Sequence, residues 1–216
     1  MEKNNQITPH RVIGMCMGNI IIGIAVALFR LSGFGVDSFS CLNLGVSGLV
    51  GLSFGTWQLI FNIVLLVVVF FTARQFIGWG TVVNMVFIGY IADFLCWGFA
   101  QCFGNANEML WLRIVLLIIG CFCSPFGASF YMEANMGNSP WDTVAFIILK
   151  FTKNKISYRV ARVSSDVTAV VVGTLAALAA GNSIWTVVGL ATIITSVLNG
   201  PLIQFFKEKI CCRYYK

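Results

Sequence analysis

The feature that most constrains this chain is its series of long, nearly uncharged apolar segments. Each is close to the roughly 20 residues that an α-helix needs to cross a bilayer. They lie at about 12–34, 56–73, 79–102, 110–133, 156–180 and 183–206. Two shorter apolar segments, at about 38–52 and 139–151, are too short to cross it comfortably. The pattern predicts an all-α, polytopic membrane helix bundle with about six transmembrane helices and two short non-spanning helices.

The composition agrees with this class. Of the 216 residues, 58% are hydrophobic and only 10% are charged, whereas a soluble domain carries about 25% charged residues. Such a chain would expose large apolar patches in water, so the lipid bilayer is its expected partner. The formal net charge of +6 does not indicate nucleic-acid binding, because the basic residues flank apolar segments and do not form one patch.

The distribution of Lys and Arg predicts the orientation. With six spans and the N-terminus inside, eleven of the fourteen basic residues lie on the inner side, namely Lys3, Arg11, Arg74, Lys150, Lys153, Lys155, Arg159, Lys207, Lys209, Arg213 and Lys216. Eight crossings would fit this rule less well. We therefore predict one membrane domain over 1–216 with both termini cytoplasmic. Its basic tail, 207–216, either lies against anionic headgroups or only enforces the topology.

The sequence GNSPWD at 137–142 is a strong helix-start signal. Ser139 suits the N-cap, Pro140 suits the first helical position, and Asp142 falls where a carboxylate meets the positive end of the helix. The signal therefore predicts that the second short helix begins here.

An internal repeat with an offset of 102 residues relates the two halves of the chain. Gly18 falls on Gly120, and residues 35–40 fall on 137–142; further on, Thr81 aligns with Thr186 after a small insertion. Each half, 12–104 and 110–206, then contains three spans and one short helix. Because three is odd, the second half must lie upside down, which predicts two inverted three-helix repeats. Chance similarity among Gly-rich helices is the alternative.

In an inverted repeat the two short helices enter from opposite faces, so their starts at Asp37 and Ser139 can approach each other inside the membrane. Helix starts carry unpaired N–H groups and partial positive charge. One interpretation is a central site that binds a polar or anionic group. The other is that both short helices lie flat at the two interfaces.

Polar residues within the apolar segments are the candidate functional residues, since ionisable groups in a bilayer are costly and face the bundle interior. Arg162 and Asp166 are four residues apart on one helix, so they form either a structural ion pair or part of a proton relay. The candidate substrate or coupling site comprises Asp37, Ser38, Asn43, Asn62, Asp93, Ser139, Trp141, Asp142, Arg162 and Asp166.

Catalytic and metal-binding motifs are not evident in the sequence. The eight cysteines form no C-x-x-C pair, and the single histidine, His10, lies near the start of the chain. We expect no enzymatic activity, no catalytic residues, no cofactor and no metal.

Five stretches resemble the YczE/YyaS/YitT family of bacterial integral membrane proteins: GFGVDSFSCLNLG, LSFGTWQLIFN, GWGTVVNMVFIGYIADF, NMGNSPWDTVA and ISYRVARVSSDVTAVVVG. The YczE branch is the most similar, and we expect the soluble C-terminal domain of the YitT branch to be missing. Ser38 stands where the family pattern suggests Pro. The resemblance implies a multi-pass protein of the bacterial plasma membrane, but it supplies no biochemical activity.

The function must therefore come from the residues. We predict a small secondary transporter of a polar or anionic solute, with the proton as candidate coupling ion and the site between the two short helices. The alternative is a non-transport assembly or regulatory partner of another complex. A homo-oligomer is compatible with either function.

Overall fold

The computed structural model describes residues 8–103, 109–153 and 155–215, which are helical with short connections and contain no strand. The main helices are α1 (Pro9–Ser32), α2 (Ser38–Val50), α3 (Phe54–Thr72), α4 (Trp79–Phe103), α5 (Leu110–Glu133), α6 (Pro140–Phe151), α7 (Tyr158–Ala179) and α8 (Leu190–Phe206). The predicted all-α class is confirmed. Three positions used in the predictions lie outside the described residues. They are Lys3 and Lys216, which were counted in the topology, and residue 104, the end of the first repeat.

The two short helices begin and end where local signals place them. Asp37 caps α2 by accepting the N–H of Ser40, and Ser139 caps α6 by accepting the N–H of Asp142. Gly51 ends α2 in the left-handed region, at a φ of 70°, which glycine adopts without strain. The helix start predicted from GNSPWD is therefore confirmed.

Five helices in the described part of the chain are long and apolar enough to cross a membrane: α1, α3, α4, α5 and α7. The sixth predicted span, 183–206, is interrupted. A short 3₁₀ turn, Ile184–Thr186, comes first, and α8 begins only at Leu190 and has 17 residues. Val36 donates its N–H to the carbonyl of Val187, which holds the chain outside a helix there. The count of six spans is not confirmed.

The centre of the bundle is the antiparallel contact between α1 and α5. Gly18 meets the backbone of α5, where an added Cβ would lie 2.6 Å from the nitrogen of Tyr131. Further along, Gly120 packs against the ring of Phe29. The small residues let the two helices approach closely, as is usual inside membranes. α4 packs against α1, and α8 packs against α5.

The short helix α2 runs beside α7 and in the same direction. Along this contact the Cys41 thiol lies 3.8 Å from the carbonyl of Val170. One turn later, a Cβ on Gly45 would lie only 2.0 Å from the carbonyl oxygen of Gly173, so the two backbones touch.

The other short helix, α6, runs beside α3 and in the same direction. Ile147 clusters with Val69 and Ala73, and the Lys150 ammonium donates to the carbonyl of Thr72 at 2.7 Å. A short connection then turns the chain back, so that α7 runs antiparallel to α6. Because α2 is parallel to α7, the two short helices point in opposite directions.

The basic tail is folded onto the bundle as far as residue 215. The Cys211 thiol lies 3.3 Å from the hydroxyl of Ser129, and the Tyr215 hydroxyl donates to the carbonyl of Phe130 at 2.8 Å. Lys207 pairs with Glu133 at 2.8 Å. The charge pattern did not predict these contacts with α5.

Candidate functional site

The starts of α2 and α6 meet at the side of α7. Asp166 of α7 accepts a hydrogen bond from the Ser38 hydroxyl of α2 at 2.7 Å. Arg162, one turn earlier, binds Asp166 at 3.2 Å and Asp142 of α6 at 2.9 Å. The first turns of both short helices are thus joined through two residues of one helix.

The start of α6 is tied into the same group. Ser139 accepts the N–H of Asp142 at 3.0 Å, and its hydroxyl donates to the carboxylate of Asp142 at 2.8 Å. The buried phenol oxygen of Tyr131 accepts the N–H of Ser139, which fixes the position of the cap against α5. We call Ser38, Ser139, Asp142, Arg162 and Asp166 the central network.

The formal charge of the ionisable side chains in this region is negative. Asp37, Asp142 and Asp166 supply three carboxylates against one guanidinium, that of Arg162. Each helix start adds roughly half a positive charge. With all the carboxylates ionised, the region carries about one net negative charge. It therefore suits a proton, a cation or a neutral polar group better than an anion.

A row of aromatic rings leads away from the network along α2 and α3. Trp141 stacks on Phe39, with ring centroids 5.0 Å apart. Phe39 lies 6.2 Å from Phe61, which in turn lies 6.4 Å from Trp57. The row links α6, α2 and α3 through side chains.

Buried polar atoms without a hydrogen-bond partner lie on the same helices. Within the described residues they are Asn43 Oδ1, Gln58 Oε1, both polar atoms of the Asn62 amide, Trp57 Nε1 and Trp141 Nε1. Buried polar groups almost always find a partner in the protein, in water or in a ligand. Their concentration on α2, α3 and α6 marks this region as one that water or solute can complete.

Asp93 is not part of the central network. Its carboxylate pairs with Arg30 at 2.7 Å and accepts the N–H of Gly55 at 2.6 Å. The Arg30 guanidinium also lies over the ring of Phe54, 4.7 Å from its centroid. Of the predicted site residues, Asp93 therefore lies apart, between α1, α3 and α4, while Asn43 and Asn62 lie along α2 and α3 beyond the helix starts.

Three residues at these places were not among the predicted site residues. They are Arg30, Tyr131 and Gln58. Arg30 and Asp93 are opposite charges on two apolar helices, a signal that could have suggested their pairing. The predicted Arg162–Asp166 pair is present, whereas a proton relay stays a prediction.

Metal ligands do not cluster in this region. In 8–103, 109–153 and 155–215, no group of three His, Cys, Asp or Glu side chains could hold a metal ion. The expectation of a protein without a metal or cofactor stays a prediction.

Comparison with known families finds a match over nearly the whole chain. The family described as "Family of unknown function (DUF6198)" matches residues 9–208, nearly the whole chain. The chain belongs to this family. The matched range includes every residue of the central network as well as Arg30 and Asp93. No solved structure matches this DUF6198 protein significantly.

Three curated proteins are similar to this DUF6198 chain over most of their length. "Uncharacterized protein YyaS" of Bacillus subtilis is 22% identical and covers 88% of this chain and 89% of its own. "Uncharacterized membrane protein YczE" of the same organism is 24% identical over 87% of this chain and 81% of its own. An "Uncharacterized protein" of Haemophilus influenzae is 26% identical over 86% of this chain and 78% of its own. The resemblance to YyaS and YczE is confirmed, and the wider relation to YitT stays a prediction.

Proposed function

We propose that this integral membrane protein is a small secondary transporter whose solute passes the central network. The observation that carries the proposal is the meeting of two oppositely directed short helices, whose first turns are bridged by Arg162 and Asp166. Broken or short helices whose ends meet near the membrane midplane form the solute sites of many transporters. Irregular backbone is tolerated at that depth only where protein or water covers it.

Reciprocal contacts support an inverted repeat with its axis between α1 and α5. Gly18 packs against Tyr131, and Gly120 packs against Phe29. Gly120 lies 102 residues after Gly18, and Phe29 lies 102 residues before Tyr131. A contact that recurs with its partners exchanged is what a two-fold axis produces.

A second pair of contacts repeats the pattern. Thr81 donates its hydroxyl to the carbonyl of Asn138 at 2.7 Å, and Thr192 donates to that of Val36 at 2.6 Å. The acceptors are again 102 residues apart. Thr192, and not Thr186, takes the place that corresponds to Thr81, so the repeat requires a larger insertion than the sequence alignment suggested.

The charge balance favours a neutral or cationic polar solute and a proton as its coupling ion. Asp166 binds both Ser38 and Arg162. A proton on this carboxylate would weaken both interactions and loosen the joint between α2 and α6, which runs through Arg162 and Asp142. Alternating access through relative motion of two halves needs such a joint.

The first test is water access to the network. In a cysteine-free background, Ser38→Cys and Ser139→Cys are labelled with a membrane-impermeant thiol reagent from either side. We expect both positions to react and Val167→Cys not to react. Val167 neighbours Asp166 in sequence but lies on an exposed apolar face, which a membrane protein turns towards lipid. Reaction at 167 without reaction at 38 and 139 would refute the proposed site.

The second test is coupled flux. Proteoliposomes containing a pH-sensitive dye receive glycine, glycerol or sulfate outside, and the change in internal pH is recorded. We expect one of the first two solutes to acidify the lumen, and Asp166→Asn to abolish the change. If no solute changes the internal pH with the wild-type protein, and positions 38 and 139 do not react with the thiol reagent, the alternative predicted from the sequence is favoured, a partner protein of another complex.

A further inference from the structure

A cavity of about 520 Å³ lies at the opposite end of α2 from the central network. Its walls are the end of α2, the start of α3, α1, α4 and the connection that follows α7. The polar side chains in its lining are those of Arg30, Ser47, Ser53, Asp93 and Asn182. The volume falls within the range of pockets for small ligands.

The positive pole of the cavity is Arg30. One nitrogen of its guanidinium binds Asp93, and within the described residues the other two make no hydrogen bond. The side chain of Arg30 is 19% exposed and that of Asp93 is 23% exposed. The pair is therefore reachable from the cavity. A guanidinium with unused donors recognises a carboxylate through two parallel hydrogen bonds.

The negative pole is the end of α2 together with Asp93. The aligned peptide groups of a helix give its last turn a partial negative charge. Ser47 and Gly48, in the last turn of α2, line the cavity beside Leu52. An ammonium group placed here meets the partial negative charge of the helix end and the carboxylate of Asp93.

Below the cavity, two helices carry unpartnered polar atoms towards the central network. Asn43 lies one turn before Ser47 on α2, on the same face, and its Oδ1 has no partner. On α3, Gln58 follows Phe54 by one turn, and Asn62 follows Gln58 by another. The polar path thus runs from the cavity to the level at which Phe61 contacts Phe39.

We propose that this cavity is a binding site for a small zwitterionic solute, with the carboxylate at Arg30 and the ammonium at Asp93 and the end of α2. The inference rests on the proposed transport function for its role as the entry site of the solute. It names amino-acid-like zwitterions as the substrate class, and the amides of Asn43, Gln58 and Asn62 as the next contacts on the path.

The test is equilibrium binding of a radiolabelled mixture of the standard L-amino acids to the purified full chain in nanodiscs. We expect saturable binding that neither propionate nor isopropylamine displaces, because each carries only one of the two charges. The variant Arg30→Gln/Asp93→Asn removes both poles without leaving an unpaired charge, so it can fold. We expect it to bind the label more than about tenfold more weakly.

The matched control is Lys207→Gln/Glu133→Gln, which removes an ion pair of similar length at the other end of the bundle. We expect this variant to bind like the wild type. Equal losses in both variants would overturn the assignment, and so would displacement by propionate alone.

Two results separate this inference from the proposed function. Binding that depends on Arg30 and Asp93, without solute flux in proteoliposomes, would support the site and refute transport. Flux of glycerol, with no bound amino acid, would support transport and refute the zwitterion site.

Discussion

Each of the two short helices runs parallel to a longer helix, α2 to α7 and α6 to α3, but the two are anchored by different means. α2 lies in backbone contact with α7, where Gly45 meets Gly173. The corresponding contact of α6 with α3 is made by side chains, with Ile147 packed on Val69. Gly45 and Ile147 are 102 residues apart, as are the helix starts.

The difference indicates which of the two helices can move. A glycine-to-glycine contact leaves no side chain to change rotamer, so we expect α2 and α7 to stay together. An aliphatic contact such as that of α6 with α3 can slide by small rotamer changes, as packed helices do in shear motions. The central network, which spans both helices, then joins a rigid pair to a more adaptable one.

The largest effect is expected from breaking the joint between the two helices. Arg162→Gln leaves the carboxylates of Asp142 and Asp166 without their cation. Removing one partner of a buried pair costs about 3–5 kcal/mol, and the partial exposure here places the loss towards the lower end. The measurement is the free energy of unfolding in detergent micelles.

The control for this prediction is the variant Arg162→Gln/Asp142→Asn/Asp166→Asn, which removes all three charges together. Most of the lost stability should return, because neutral amides can hydrogen-bond to one another. If the single variant is as stable as the wild type, the ion pairs do not hold the two helices together.

A smaller loss is expected from separating α2 from α7. In Gly45→Ala the new Cβ would lie 2.0 Å from a backbone oxygen of Gly173, so one helix must shift. Overpacking of this kind costs about 1–3 kcal/mol, which outweighs the helix propensity gained from alanine, about 0.5–1 kcal/mol. Thermal unfolding of the purified protein measures the net loss.

Gly98→Ala is the matched control, since an added Cβ at Gly98 meets nothing within 4 Å. This variant should be as stable as the wild type or slightly more stable. Equal behaviour of the two alanine variants would mean that α2 and α7 are not held in backbone contact.

Much of the fold was predictable because its signals are local. Apolar length gave five spans, and the caps at Asp37 and Ser139 gave the starts of the short helices. The sixth span is not confirmed, and its interruption is not local. It depends on the hydrogen bond between Val36 and Val187, which are far apart in sequence.

The candidate site was predictable in its residues but not in its connections. Spacing of four predicted the pair Arg162–Asp166, since both share one helix face. The bond from Arg162 to Asp142 and that from Ser38 to Asp166 join different helices, so they depend on the packing of the bundle. The pairing of Asp93 with Arg30 also joins two helices, so it too depends on the packing of the bundle.

The smallest effect is expected at the side-chain contact between α6 and α3. Ile147→Val removes one methylene from the contact of α6 with Val69 and Ala73. Such a change in a packed core costs about 0.5–1.5 kcal/mol, and the thermal unfolding midpoint reports it. Ile193→Val is the control, because Ile193 is 65% exposed and should tolerate the change. A loss larger than that of Gly45→Ala would reverse the comparison, because α6 would then be the more rigidly held helix.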